Sequence, residues 1–330
     1  MSEPERAVNG AVLQPDLSHV KGQESAKRAL EVAAAGDHPV LLIGPAGSGK
    51  TLLARCVPGL LPPPTREEAA EIAETYRRAK LDPPTGRPFR EPHFRTRPLD
   101  LVGRGRKLGE VDLARGGALF LDNLQAFGKR SLRVLRQAFE DHRGQGPTGA
   151  GDRPPSRFLL AATMRACPCG RFGDDTRPCS CAPWEVARYW APIEELFLDL
   201  VHLHVEVPPA GLPELRSGPG ETSRQVAERV HRARLRQLER PGQHGGNAHL
   251  RPWALPKFCD PDPAGKRLLD VAADRLGLRV PELGIILRVA RTIADLAGSE
   301  DIRAPHAAEA IQYRSLGLRR DQLQRRHRVH

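Results

Sequence analysis

Residues 40–53 read VLLIGPAGSGKTLL. Four apolar residues, Val40 to Ile43, have the form of a buried parallel strand, and the text then passes through a glycine-rich loop into the apolar start of a helix. The spacing GxxxxGKT is met by Gly44, Gly49, Lys50 and Thr51, so residues 44–51 (Gly44, Pro45, Ala46, Gly47, Ser48, Gly49, Lys50 and Thr51) form a complete phosphate-binding P-loop. Glycine at these points lets successive backbone N–H groups converge on phosphate oxygens with no Cβ in the way. Lys50 is placed for the β and γ phosphates, the Thr51 hydroxyl for Mg²⁺, and the positive end of the following helix adds to the attraction.

Working outward, helical spacing places a short helix before this strand, with Ala26, Ala29, Leu30 and Ala33 on one face and Gly36 ending it. After the P-loop helix and Pro62-Pro63-Pro64, a charged helix from Thr65 to Lys80 opens with a capping box, Thr65 followed by Glu68. Residues 82–110 show no periodicity but carry Arg87, Arg90, Arg95, Arg97, Arg104, Arg106 and Lys107, with His93 and Phe94 among them. A weak strand reading falls on Leu99 to Val102.

A second buried run, Ala118 to Leu121, delivers Asp122 at its carboxyl end, where a carboxylate can hold Mg²⁺ through water. A helix from Lys129 to His142, a strand from Phe158 to Ala162, a helix around Trp184 to Trp190 and a strand from Leu203 to Val207 follow. Strands alternating with helices, the P-loop on the first, predict an α/β fold: a doubly wound parallel sheet, here a P-loop core over 17–209. Past a linker at 211–220 the pattern is helical: 224–240, 265–276, 282–297 and 304–313, read as a C-terminal helical lid spanning 210–318. Residues 1–16 read as a loose polar tail and 319–330 as a basic one.

The chain of 330 residues has a formal net charge of +11 and a pI near 9.8, which favours an anionic partner, nucleic acid before membrane. The same excess also fits a surface solvated by arginine. No apolar run has the length of a membrane span and MSEPERAVNG has no apolar signal core, so the expected compartment is the cytoplasm, with no membrane contact. Four of six cysteines, Cys167, Cys169, Cys179 and Cys181, form C-x-C, nine residues, C-x-C. They meet the tetrahedral requirement of a structural Zn²⁺, or stand as reduced loop thiols. Cys56 and Cys259 are isolated.

The stretches VKGQESAKRALEVAAAG, LLIGPAGSGKTLLAR with PGLLPP, RPFREPH, LARGGALFLD, ACPCG with RPCSC, LHVEVPP and ILRVARTIADLAGSEDIRAPHAAEAIQYR, from about residue 17 to 314, resemble the AAA+ ATPases of the magnesium-chelatase I group, most closely the competence-associated (ComM/YifB-type) proteins. The amino-terminal Lon-protease-like domain usual in such proteins is not in this text. The resemblance implies a homo- or hetero-oligomeric ring with ATP and Mg²⁺ between neighbours, and possible work on DNA. It also exposes departures at the reaction centre. Asp122-Asn123 stands where the family has Asp-Glu, and an amide cannot take a proton in the working pH range. The family's water-orienting Asn falls on Arg165, its trans-acting arginine on Leu200, and its lid arginine near Pro281, two places from Arg279. Arg165, Arg188 or Arg279 could supply a missing arginine from a shifted position. Gly146-Pro147-Thr148-Gly149 replaces the family's apolar hairpin. Losing an arginine finger costs roughly 10³ to 10⁵ in rate and losing a base about 10² to 10⁴. The sequence therefore predicts an ATP-binding protein that hydrolyses slowly or not at all: a DNA-handling ring component, a quiet regulatory or adaptor subunit of an active AAA+ partner, or a magnesium-chelatase I-type subunit.

Overall fold

The apolar runs pair as parallel strands in a computed structural model that describes residues 15–105, 107–142, 158–174 and 176–314. In chain order the elements of the sheet region are α1 (Glu24–Gly36), β1 (Val40–Ile43), α2 (Lys50–Arg55), α3 (Arg66–Arg78), β2 (Phe89–Arg90), α4 (Pro98–Val102), α5 (Glu110–Leu113), β3 (Ala118–Leu121), α6 (Lys129–His142), β4 (Leu159–Met164), α7 (Pro183–Leu196) and β5 (Leu203–Glu206). Then come α8 (Leu212–Leu215), α9 (Ser223–Leu238), α10 (Leu255–Phe258), α11 (Pro263–Leu276), α12 (Val280–Leu296) and α13 (Ala304–Gln312). The described sheet has the order β2-β3-β4-β1-β5, with every pair parallel. β1 lies between β4 and β5, Val40 opposite both Ala161 and Leu203, so the P-loop leaves the sheet flanked by the tips of two other strands.

Strand period divides the core. Val40, Leu42, Phe120, Ala161 and Val205 face one side with α1, α9 and α12; Leu41, Ile43, Leu121, Leu160 and Met164 face the other with α4, α6 and α7. All of these residues are buried, as strands covered on both faces require.

The strand reading at Leu99 to Val102 is corrected: Pro98–Val102 is a helical turn. Pro98 occupies its first position, where the missing N–H costs nothing and the fixed φ suits a helix, while Leu101 is buried. The edge strand is Phe89–Arg90, seated where the Ala118 N–H donates to the Pro88 carbonyl at 2.8 Å. The capping box of α3 forms as read, Thr65 accepting from the Glu68 amide and Glu68 from that of Thr65. The 211–220 segment contains the short helix α8. The Gly146–Gly149 departure, Arg106 and the 319–330 tail lie outside the described residues.

The C-terminal helices stand against α1 and the amino-terminal edge of the sheet. His38, just before β1, is hydrogen-bonded to Thr292 of α12 at 2.7 Å and to His202 at 2.9 Å. Asp37 caps α1 in a left-handed conformation and accepts both guanidinium nitrogens of Arg234, at 2.7 and 2.5 Å. Burial alone would disfavour its charge, but Arg234 and His249 outweigh it and hold the carboxyl well below the usual range. At the outer edge of β5 the His204 amide donates to the Tyr313 carbonyl at 3.0 Å. The His204 ring is buried beside Arg314, and burial first, then that cation, push it down to about 3, so it is neutral.

Inside the helical part, Asp295 is the hub. It is 1% exposed and accepts from Arg240, from Arg291 Nε at 3.0 Å and from Asn247 Nδ2 at 2.8 Å. Removing it would leave two guanidinium groups largely buried without their carboxylate, a loss of about 3–5 kcal/mol by precedent for broken buried pairs. Asp295→Ala should therefore lower the urea midpoint steeply or abolish soluble folding. Glu74→Ala, which breaks an exposed pair with Arg77, should change stability by no more than about 0.5 kcal/mol in the same titration.

Candidate nucleotide site

The strand-loop-helix text around Gly44 folds as the P-loop geometry demands. Gly44 passes so close to β5 that a Cβ there would lie 2.1 Å from the Val207 carbonyl oxygen. Gly49 sits at φ 90°, a left-handed setting that L side chains rarely adopt, and caps α2. Lys50 opens α2 and is buried. Its ammonium folds back on the loop, donating to the Pro45 carbonyl at 2.6 Å and the Ser48 hydroxyl at 3.1 Å. Burial, then the nearby Arg165, lower its pKa to about 8 against the opposing pull of Asp122.

β3 carries Asp122 to the same place. Its Oδ1 accepts from the Thr51 hydroxyl at 3.0 Å and from the Thr163 hydroxyl at 2.6 Å. A hydroxyl and a carboxylate oxygen this close form a hard-oxygen pair suited to Mg²⁺, so the donor chemistry fits the cation expected with a triphosphate. Thr163 was not singled out from the sequence, although a hydroxyl within the otherwise apolar LLAATM of β4 is the signal. It also accepts the Asn123 amide at 2.9 Å and so aligns the ends of β3 and β4.

Asn123 adopts φ 54°, ψ 60°, a left-handed conformation that Asn tolerates better than most residues. Its Nδ2 donates to Asp122 at 3.2 Å and its Oδ1 accepts from Gln125 at 3.4 Å, so the amide is held in place and offers no basic oxygen. Leu200 is not directed outward. It is 9% exposed and packs in the cluster that contains Phe197 and Val201.

Of the three arginines that could compensate, Arg165 is the one beside this site. It follows the tip of β4, is exposed, and its charge is felt at Lys50. Arg188 is an exposed residue of α7. Arg279 caps α12, whose Glu282 is joined through Arg314 to the Val201 carbonyl, at the end of the sheet opposite the P-loop. It therefore does not reach its own chain's P-loop.

The basic 82–110 segment is less open than its composition suggests. Arg87 pairs with Glu68, Arg90 with Glu110 in a two-point contact, and Arg97 and Lys107 both with Asp100. Arg95 lies over the Phe94 ring at 5.5 Å. The four clustered cysteines do meet: their sulfur atoms lie within 4.8 Å of one another and could hold a metal ion. Cys56 and Cys259 are buried apart from them, their thiols pushed up to about 12, mainly by burial. No helix among the described residues is long and apolar enough to cross a membrane.

Comparison with known proteins agrees with this architecture over nearly all of its length. The family described as magnesium chelatase, subunit ChlI, matches residues 16–215, and the corresponding ChlI C-terminal family matches residues 220–314. The chain is 40% identical over 313 residues to Competence protein ComM of Haemophilus influenzae, covering 91% of this chain and 60% of that protein. It is 40% identical to YifB of Escherichia coli K12, with 95% and 63% covered, and 35% identical to Rv2897c of Mycobacterium tuberculosis, with 92% and 62% covered. The chain thus spans about six tenths of the length of these curated relatives. With a P-loop on an interior strand of a parallel sheet, a helical C-terminal part and both family matches in sequence, the chain belongs to the magnesium chelatase ChlI family, in its ComM/YifB-like branch.

Proposed function

We propose that this protein binds ATP with Mg²⁺ at residues 44–51 and Asp122 and hydrolyses it slowly or not at all, acting as the quiet nucleotide-holding member of an oligomeric assembly. The observation that carries the reading is the contrast between the phosphate cradle and the positions where the family resemblance places its catalytic groups. The loop, Lys50, Thr51 and Asp122 are set together, whereas the catalytic-glutamate position holds the fixed amide of Asn123 and the finger position is the core residue Leu200. Phosphate binding needs the first set alone; cleavage needs a polarised water and charge neutralisation in the transition state.

A role on DNA draws support from the net charge of +11 and from the name of the Haemophilus relative, a competence protein. Against it, four of the seven cations that suggested a nucleic-acid surface in the 82–110 segment are already paired with carboxylates. Pairing with an active AAA+ relative, in a homo- or hetero-oligomeric ring in the cytoplasm, is the reading favoured here. The magnesium-chelatase I-type role rests on family membership alone.

Equilibrium titration with a fluorescent ATP analogue, run beside a turnover assay on the same preparation, decides the central point. The expected result is saturable, Mg²⁺-dependent binding with turnover at or below about one per hundred seconds, the level left when a typical rate loses an arginine finger. Turnover near one per second would sink the proposal. Adding single-stranded DNA to both assays separates the partner readings, since DNA affinity must fall steeply with salt.

The lowered pKa of Lys50 gives a pH signature. Phosphate favours the charged ammonium, so binding raises the pKa from its free value of about 8. Affinity should be fullest below pH 8 and weaken as pH rises, approaching about tenfold per unit between the free and bound pKa values. Lys50→Ala should weaken binding about 10- to 100-fold, the worth of a charged hydrogen bond, and flatten that dependence.

Asn123→Glu alone should leave turnover within about tenfold of the parent, because Leu200 still supplies no charge and the position demands a left-handed backbone. A thousandfold rise in a single-turnover assay would show that the glutamate was the sole deficit.

A further inference from the structure

The loop after β4 carries the four clustered thiols and also touches the P-loop. The Sγ atoms of Cys167 and Cys169 are 3.4 Å apart, and Cys179 Sγ lies 3.6 Å from each. These spacings are far longer than a disulfide bond of about 2.05 Å. They approach the roughly 3.8 Å edge of a tetrahedron with metal–sulfur distances of about 2.3 Å. Two backbone amides point at the sulfurs, Cys169 N–H to Cys181 Sγ at 3.3 Å and Phe172 N–H to Cys167 Sγ at 3.4 Å, the outer support that a thiolate set needs. Cys167 and Cys181 are buried and Cys169 and Cys179 half-buried, so four thiolates here would repel one another without a cation.

The same loop is fastened to the nucleotide site. Between the two C-x-C pairs, the Gly170 carbonyl accepts the Ala46 N–H of the P-loop at 2.9 Å, while the Gly170 N–H donates to the Cys167 carbonyl at 3.1 Å. A Cβ built on Gly170 would lie 3.1 Å from Arg165 Cδ and 3.6 Å from Ala46 Cβ; one on Gly173 would lie 3.7 Å from Pro45 Cδ. One residue therefore links the sulfur cluster, the P-loop backbone and the cation beside Lys50.

We propose that Cys167, Cys169, Cys179 and Cys181 bind one Zn²⁺ in a closed tetrathiolate site, and that this ion acts as a brace for the P-loop, so that zinc loading sets nucleotide affinity. A closed set of four thiolates with no open position suits zinc, whose role there is to hold shape rather than to react, and metal analysis distinguishes it from iron. The coupling half of the proposal rests on the ATP-binding reading; the metal half does not.

The test uses the full chain with three readouts. Metal analysis should find one zinc per chain, and Co²⁺ exchange should give the thiolate charge-transfer and tetrahedral ligand-field bands of a Cys₄ site. Less than a tenth of an equivalent of zinc together with no cobalt bands overturns the site. Next, hydrogen exchange is compared before and after removal of zinc under reducing conditions with a zinc-selective chelator. Exchange should rise at least tenfold in peptides covering 44–51 and 165–181 while β3 and α12 keep their protection. Unchanged exchange at 44–51 overturns the brace. Finally, the affinity for a fluorescent ATP analogue with Mg²⁺ should fall tenfold or more on stripping and return with added zinc. Cys179→Ser should show the weakened value with no rescue by zinc. An affinity that shifts less than twofold overturns the coupling. If neither form binds nucleotide, the ATP reading and the coupling fail together, while metal content and the cobalt spectrum still decide the site.

Discussion

The Asp122 carboxylate fixes how the P-loop helix and the two neighbouring strands are set against one another. Its Oδ1 accepts hydrogen bonds from the hydroxyls of Thr51, one residue into α2, and Thr163, near the tip of β4, while its own backbone directly follows β3. Hydrogen bonds to an ionised acceptor are worth about 1.5–3 kcal/mol each, so three elements distant in sequence are drawn to one point by two short contacts. The adjoining amide of Asn123 closes the arrangement on Thr163, and the buried ammonium of Lys50 supplies the charge opposite. Cation binding would exploit this pre-arrangement, because the oxygen donors already lie together.

That arrangement is compatible with the proposed reading, in which a phosphate cradle stands without the family's catalytic groups. Asn123 is part of the polar network that holds Asp122, and Leu200 belongs to the apolar core under α7. Neither is a vacant position into which a catalytic side chain has merely failed to be placed. Each has a structural role that a substitution would disturb: a charge at Leu200 would enter a cluster with Phe197 and Val201, and a glutamate at 123 would have to accept a left-handed backbone. Arg165 is different in kind, an exposed cation added next to the phosphate loop.

Much of this was legible in the sequence, for reasons that can be named. β1, β3, β4 and β5 are short apolar runs, and covered parallel strands have no other way to satisfy both faces. That they pair in parallel followed from their alternation with helices; their order in the sheet did not. β2 escaped because two residues carry no period; only the fit of Pro88 and Phe89 against Gly117 and Ala118 makes them a strand. Leu99 to Val102 misled because Leu and Val suit either structure and Pro98 decides for the helix. Counting cations in 82–110 revealed a charge but not its partners, since Glu68, Glu110 and Asp100 are assigned only by folding. The C-terminal helices were found by their spacing, but their seat against α1 depends on Asp37, His38 and Arg234, none of which has a distinctive neighbourhood in the text.

The bond from the His204 amide to the Tyr313 carbonyl bears on how copies of this molecule can meet. An open strand edge is a template to which any extended peptide can add, and it is a common route to unwanted fibres. Here the turn after α13 already occupies part of the rim of β5, and the opposite rim is β2, only two residues long. Strand-by-strand growth therefore has little purchase on either flank. Were copies to gather around a shared nucleotide, as proposed above, they would be joined through side-chain surfaces, free to separate without tearing a sheet.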